Sequence, residues 1–216
     1  MDYVLARHKA FALIAPKTLE NVLPIISLKR FERGEMLFEE GDPPQAVYLL
    51  RSGLVKAVKY SPRSDSPIME MIAPGRMFGM IAVMDQKPYP VSAIPLKRSE
   101  VYRIPANVFT ELLEKYPSFS KEIYAEIGGH IRHAQALRSL SQEPVERRIA
   151  RVLLLLSESM GMELSLRRQD LAELATCTPE TAIRTLVNFR KKKLVSSAWK
   201  CVTILDIGRL KLLSGQ

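Results

Sequence analysis

A chain of 216 residues, 47% apolar and 25% charged, is long enough for one large or two modest domains, each with an adequate core. Its net charge of +9 points to a polyanionic partner, though the sign alone does not separate nucleic acid from an anionic surface. No apolar run approaches the ~20 residues of a membrane span, Arg7, His8 and Lys9 interrupt the opening segment where a secretory signal would be apolar, and the two cysteines, Cys177 and Cys201, frame no disulfide scaffold; a cytoplasmic protein without a membrane partner is expected.

In chain order, a short helical start over Thr18 to Pro24 gives way to a strand-like region from Ser27 to Arg103. Leu37-Phe38, Val47 to Leu50, Leu54 to Tyr60, Ile68 to Ile72 and Val101 to Ile104 are short β-prone runs. Gly34, Gly41-Asp42-Pro43-Pro44, Ser52-Gly53, Pro74-Gly75 and Gly79 punctuate them with turn chemistry. Many short strands with such spacing predict a β-barrel or jelly roll. On the run Ile68 to Ile72, Met69 and Met71 share one face and Ile68, Glu70 and Ile72 the other.

The texture changes at Pro105. Ala106 to Lys115 is helical, and Pro117 restarts a helix that runs to about Ser141 with an apolar seam of Phe119, Ile123, Ile127, Ile131, Ala134 and Leu137. A helix of that length suits a contact between subunits through Ile123, Ile127, Ile131 and Ala134, with packing on its own barrel as the other reading. Gly128-Gly129 weakens the middle of the helix by ~1 kcal/mol each relative to Ala unless close packing or a hinge compensates. His130 and His133, three residues apart, have the spacing of metal or haem ligands, and equally that of a solvated or interface pair. Glu143-Pro144 marks a boundary. The expected division is a sensor barrel with flanking helices over 1–116, a dimerisation helix over 117–141 and a DNA-binding domain over 142–216.

Within that last region, Arg168 to Ala175 reads as a short helix and Thr176-Cys177-Thr178 as a tight break. Thr178 is a good N-cap, Pro179 fits the first helical position, and Glu180 favours the positive end of the helix dipole. Ala182, Leu186 and Phe189 make one apolar stripe, and Glu180, Thr181, Arg184, Thr185 and Asn188 an outward polar face. Leu194 to Ser197 and Cys201 to Leu205 look like strands around Ala198-Trp199-Lys200. The order is that of a winged helix-turn-helix. An arginine can clamp O6 and N7 of guanine and a glutamate can accept from N4 of cytosine, so Glu180 and Arg184 suit base edges; Arg190 to Lys193 suits phosphates. The predicted DNA contacts are Arg168, Thr178, Glu180, Thr181, Arg184, Asn188 and Lys191. The competing reading makes Glu180 and Arg184 an ordinary surface ion pair.

These motifs carry a resemblance. Gly34-Glu35, Phe38-x-x-Gly41-Asp42, Val47-Tyr48-Leu49-Leu50-x-Ser52-Gly53-x-Val55-Lys56 and Pro74-Gly75-x-x-Phe78-Gly79 look like a cyclic-nucleotide-binding-type barrel. Followed by the long helix, by Glu146-Arg147-Arg148-Ile149-Ala150-Arg151 and by the helix that opens Thr178-Pro179-Glu180-Thr181-Ala182-Ile183-Arg184, the chain resembles the CRP/FNR family of bacterial transcription regulators over nearly its whole length. The resemblance implies an α+β protein, a homodimer on a palindromic double-stranded DNA site, contact with RNA polymerase, and a small signal in the barrel that sets affinity. It places the family's base readers on Glu180 and Arg184, which implies a TGA-like half-site, while Pro179 and Ile183 depart from the family's usual residues and leave the outer bases open.

The sensor also departs from the pattern. Where the family's nucleotide-binding members carry Gly-Glu-Leu, this chain has Gly79-Met80-Ile81, and their Arg-Ser/Thr-Ala is matched only by Pro90-Val91-Ser92-Ala93. A buried phosphate without a charged partner is costly, so cyclic AMP is not expected as the ligand. An iron–sulfur cluster is not expected either, since both cysteines fall in the winged region. Met69, Met71, Met77, Met80 and Met84 crowd the stretch that lines the family's pocket and read either as a methionine-rich core or as a pocket for haem or an apolar small molecule, with Met69, Met71, Phe78, Gly79, Met80, Ser92 and Ile127 as candidate lining. No catalytic constellation accompanies Ser52 or Ser92, and no enzyme is expected. The remaining alternatives are a ligand-sensing module whose winged domain binds protein rather than DNA, and an enzyme using haem or metal at His130 and His133.

Overall fold

The computed structural model describes residues 5, 7–59, 68–139 and 143–215, without the side chains of residues 133, 134, 136–139 and 159. The chain divides into two compact units, 1–134 and 135–216, with the division inside the long helix. The side chains of the expected seam residues Ala134 and Leu137 and of His133, and the whole of Tyr60, therefore lie outside what is described.

In the first unit, a 3-10 turn at Phe11–Leu13, helix α1 (Pro16–Val22) and a second 3-10 turn at Leu23–Ile25 lead into β1 (Ser27–Phe31). The strands β2 (Ala46–Ser52), β3 (Val55–Val58), β4 (Ile68–Ile72), β5 (Met77–Phe78), β6 (Ser92–Pro95) and β7 (Ser99–Pro105) follow, with helix α2 (Met80–Asp85) between β5 and β6. They form two antiparallel sheets, in keeping with the expected jelly roll: β1-β7-β2-β5, in register Tyr48↔Arg103 and Tyr48↔Phe78, and β4-β3-β6, in register Val55↔Ile72 and Val55↔Pro95. The predicted strand at Leu37-Phe38 reduces to a single bridge between Phe38 and Ala93. Helix α2 was not foreseen, because six residues are too few to establish a period against the β-prone run around them.

Strand β2 organises this unit. Its residues 46 to 50 are all buried, because both faces of the strand are covered. Ala46, Tyr48 and Leu50 point between the sheets against Val55, Ala57 and Ile72. Val47 and Leu49 point the other way, onto helix α3 (Ala106–Lys115) through Val108, Phe109 and Leu112, and onto helix α4 (Pro117–Ser139) through Phe119 and Ile123. The turn Ser52-Gly53 needs its glycine: φ is +110°, and a Cβ there would stand 2.1 Å from Ser99 Oγ.

The second unit holds helix α5 (Val145–Met160), β8 (Glu163–Leu164), α6 (Arg168–Leu174), α7 (Pro179–Lys191), β9 (Val195–Ala198), β10 (Cys201–Ile204) and α8 (Ile207–Ser214). Ile149, Leu153 and Leu156 of α5, Leu171 of α6 and Ala182, Leu186 and Phe189 of α7 are buried. The wing is a three-stranded sheet, β8-β10-β9, whose turn at Trp199-Lys200 holds Lys200 at φ 57°.

Candidate functional site

Helix α7 is fixed by its ends. The Thr178 hydroxyl accepts from the Thr181 amide at 3.3 Å, Pro179 opens the helix, Glu180 lies in the first turn, and Arg190 and Lys191 lie in the last. The preceding turn is held by Cys177 N donating to Ala172 O and by Arg148 Nη1 donating to Thr176 O, each at 2.9 Å. Burial raises the Cys177 thiol above its usual range, so that cysteine is kept protonated.

The outward face of α7 differs from the predicted one. Glu180, Arg184 and Lys191 are exposed, and among the described residues no ion pair joins Glu180 to Arg184, so both side chains are free to reach outward. Between them stand two apolar side chains the sequence reading left out of the site: Ile183, 42% exposed, and Val187, 36% exposed. Thr185, expected outside, is buried beside Leu186. Asn188, expected to contact DNA, instead donates through Nδ2 to Glu146 Oε1 at 2.6 Å and ties α7 to α5. The Thr178 hydroxyl is occupied as the helix cap and stands 3.1 Å from that of Thr181. Arg168 spends one N–H on Ala198 O at 3.3 Å, bracing the start of α6 against the wing. What faces outward along successive turns is therefore Glu180, Ile183, Arg184, Val187 and Lys191, with a wing tip where Trp199 is 83% exposed and Lys200 Nζ stands 5.5 Å from its ring.

In the sensor, the predicted effector pocket is partly reassembled. A cavity of 110 Å³ is lined by Phe78, Gly79, Met80 and Ile127, as expected, but from β4 by Glu70 and Ile72 rather than Met69 and Met71. The strand therefore presents to the cavity the face opposite to the one chosen. Ser92 is wholly buried outside the lining, its Oγ accepting from Glu40 N at 2.9 Å. Aromatic rings fill the adjoining space: Phe38 stacks on Tyr89 with centroids 3.9 Å apart, and Tyr48 lies 5.5 Å from both Phe38 and Phe78. The Tyr89 hydroxyl bonds both Ala46 backbone groups, and burial pushes its pKa up to about 12. Gly79, at φ 79°, lies against that ring, where a Cβ would come within 3.2 Å. Small-molecule sites usually enclose ~300–1,000 Å³, so the cavity as it stands does not fit haem.

His130 does not stand free as a ligand. Its Nδ1 hydrogen-bonds Glu70 Oε1 and its Nε2 lies 3.9 Å from Glu126 Oε1, an ion-pair distance. Burial opposes a charge on the imidazole, but the Glu126 and Glu70 carboxylates outweigh it and push its pKa up to about 9. Burial would likewise raise Glu126; contacts from His130, from His8 Nε2 at 3.2 Å and from the Met77 amide at 2.8 Å overcome this and hold it at about 2. Together these groups clamp α4 to β4, β5 and the N-terminal segment. Sequence reasoning missed Glu70 and Glu126 because each is an ordinary polar residue until the fold brings them together.

The dimer seam needs a correction too. Ile123 is fully buried in the sensor's own core and is not available to a second subunit. Ile127 is half-buried against the same core. The outermost stripe of α4 runs instead through Tyr124 (60% exposed), Gly128, Ile131 (50% exposed) and Gln135, at the 4-3-4 spacing of a coiled-coil seam.

Known proteins carry the same parts in the same order. Residues 28–116 match the family model of the cyclic nucleotide-binding domain, and residues 147–213 that of the Crp-like helix-turn-helix domain. The chain is 30% identical over 193 residues to the transcriptional activator protein anr of Pseudomonas aeruginosa, covering 85% of this chain and 79% of that protein. It is 24% identical over 219 residues to a CRP-like cAMP-activated global transcriptional regulator of Mycobacterium tuberculosis, covering 97% and 98%. The structure of FixK2 from Bradyrhizobium japonicum shares the fold at TM-score 0.79 and 19% identity, over 87% of this chain and 96% of that one. With a sensor fold, a long helix and a winged helix-turn-helix whose recognition helix presents Glu180 and Arg184, the chain belongs to the CRP/FNR family of DNA-binding transcription regulators.

Proposed function

We propose that the protein regulates transcription as a cytoplasmic homodimer on a two-fold DNA site, with α7 in the major groove and RNA polymerase as its protein partner. The observation that carries this reading is the outward face of α7, where Glu180 and Arg184 project unpaired from the first two turns. A recognition helix meets base edges with those turns, and a dimer sets half-sites about one helical turn apart. Lys191 at the far end, Lys200 on the wing and Arg168 at the start of α6 supply phosphate contacts. The subunits pair through Tyr124, Gly128 and Ile131, and Gly128 lets the helix axes approach closely.

The sensor's ligand in this reading is not cyclic AMP. Met80 is buried at the start of α2, Ser92 is committed to the Glu40 amide, and the charged side chains that line the small cavity among the described residues, Glu70 and His130, are bonded to each other. Both cysteines sit in the second unit, Cys177 at the turn before α7 and Cys201 on the wing, which does not suit an iron–sulfur cluster in the sensor.

The test is Arg184→Ala on a TGA-containing palindrome and on one whose guanine is replaced. Loss of a bidentate guanine contact should cost ~1–3 kcal/mol on the first DNA and little on the second. Equal weakening on both would reduce Arg184 to a phosphate contact. No weakening on either would favour a winged domain that docks on protein.

A further inference from the structure

The sensor has a second cavity, of different chemistry. It is an open cleft of 740 Å³ on the side of α4 where Glu122, Ala125, Glu126, Gly129 and Arg132 face the N-terminal segment and the turn Pro74-Gly75-Arg76. Its size lies inside the ~300–1,000 Å³ range of small-molecule sites, whereas the aromatic-walled cavity lies below it.

The walls are cationic. Arg7 and Lys9 come from the N-terminal segment, Arg51 from the end of β2, Arg76 from the turn before β5 and Arg132 from α4; two carboxylates, Glu122 and Glu126, oppose these five. Glu126 is shared with His8, His130 and the Met77 amide, so only part of its charge offsets Arg76 and the other cations of the cleft. Arg51 gives Nη1 to Glu100 at 2.7 Å, which fixes its guanidinium at the wall of the cleft. Arg76 lies 3.8 Å from Glu126 through Nε, and its buried Nη2 has no hydrogen-bond partner among the described residues. His8 Nδ1, on a side chain only 8% exposed, also lacks one among them. A buried guanidinium N–H without an acceptor is destabilising, and an oxyanion, whose paired oxygens can meet the guanidinium fork, is the acceptor that suits it. Gly129 keeps the space beside it open: a Cβ there would stand 3.6 Å from Arg76 Nη2.

We propose that this cleft binds a phosphorylated small molecule carrying two or more negative charges, held by Arg76 and Arg132, with Arg7, Lys9 and Arg51 adding positive charge to its walls. The volume exceeds what a lone phosphate fills, and among the described residues no Phe, Tyr or Trp lines the cleft, so the anionic groups carry the recognition. Such a ligand touches α4, the β4–β5 turn and the N-terminal segment at once. It is therefore placed to bias the position of α4, through which the subunits pair in the function proposed above; binding itself does not rest on that function.

The test uses the intact protein and inorganic tripolyphosphate as probe, titrated calorimetrically, with sulfate at equal ionic strength as the control. The basic end of α7 is a competing polyanion site, so Lys191→Gln is measured beside Arg76→Gln and Arg132→Gln; Arg132 is exposed, and its variant keeps the fold even if the Arg76 variant does not. Saturable binding to tripolyphosphate but not sulfate is expected, weakened about tenfold or more by Arg132→Gln and Arg76→Gln and unchanged by Lys191→Gln. No saturable binding, binding that sulfate reproduces, or binding lost in Lys191→Gln and kept in Arg132→Gln overturns the proposal.

Discussion

Helices α4 and α7 are built alike and read differently. Each buries one apolar stripe in its own unit and leaves an outward stripe without a partner. In α7 the inward stripe, Ala182, Leu186 and Phe189, follows from local signals: a cap at Thr178, a proline at the first position, and spacings of four and three. In α4 the same kind of spacing joins Phe119 and Ile123, which face the sensor core, to Ile131, which faces away. A periodic pattern gives a face, but only the packed strands behind it decide what that face meets. The doublet Gly128-Gly129 makes the same point. Gly129 adjoins the Arg76 guanidinium in the cationic cleft, while Gly128 meets only Arg132 of its own helix and leaves the outward stripe low.

The sharpest way to break the contrast is to remove what holds α4 on the sensor. Glu126→Gln leaves a buried cationic His130 short of a partner and should cost about 3–5 kcal/mol in urea unfolding. The pH dependence gives the sign. His130 is raised from 6.5 to about 9, so its stabilisation is complete below pH ~6.5 and is lost as pH rises through 9. Glu126, lowered from 4.5 to about 2, gives its full contribution above pH ~4.5 and loses it as pH falls from there through 2. Wild type should therefore lose stability between pH 7 and 10, and the variant much less; parallel curves would mean the cluster does not clamp the helix.

Ile123 and Tyr124, adjacent in sequence, should fail in opposite ways. Ile123→Ala empties a fully buried site and should destabilise by ~2–5 kcal/mol while leaving assembly intact in the folded protein. Tyr124→Glu changes an exposed side chain, should alter monomer stability by no more than ~0.5 kcal/mol, and should dissociate the dimer in sedimentation. A dimer indifferent to Tyr124→Glu would move the seam off this stripe.

The fold was legible where signals are local or repeated. β4 at Ile68–Ile72 and α3 at Ala106–Lys115 were predicted to the residue, and the helix-turn-helix followed from its cap and turn. The site was legible only in part. Asn188 and Glu146 lie forty-two positions apart, and no pattern announces that one removes the other from the DNA-facing set. The face of β4 that lines the cavity was missed because all of its first four residues are half-buried, so alternation carries little contrast there. The charge cluster of His8, Glu70, Glu126 and His130 is assembled from three distant places, the N-terminal segment, β4 and one turn of α4, and the sequence does not announce their meeting.

The finest effect concerns the apolar residues among the charges of α7. Ile183 lies between Glu180 and Arg184 on the exposed side, with Val187 one turn on. Neither can hydrogen-bond a base edge, and an exposed isoleucine adds nothing to the fold that a polar residue would not. In the major groove, however, an apolar side chain distinguishes thymine by its C5-methyl group. Burying one methyl is worth ~0.8 kcal/mol. Replacing a half-site thymine by deoxyuracil removes that methyl and leaves every hydrogen-bonding group in place. The wild-type protein should lose up to about that much at the thymine Ile183 covers, and Ile183→Ser should bind both DNAs alike. If deoxyuracil is tolerated by the wild type at every thymine of the half-site, Ile183 reads no base, and discrimination rests on Glu180 and Arg184 alone.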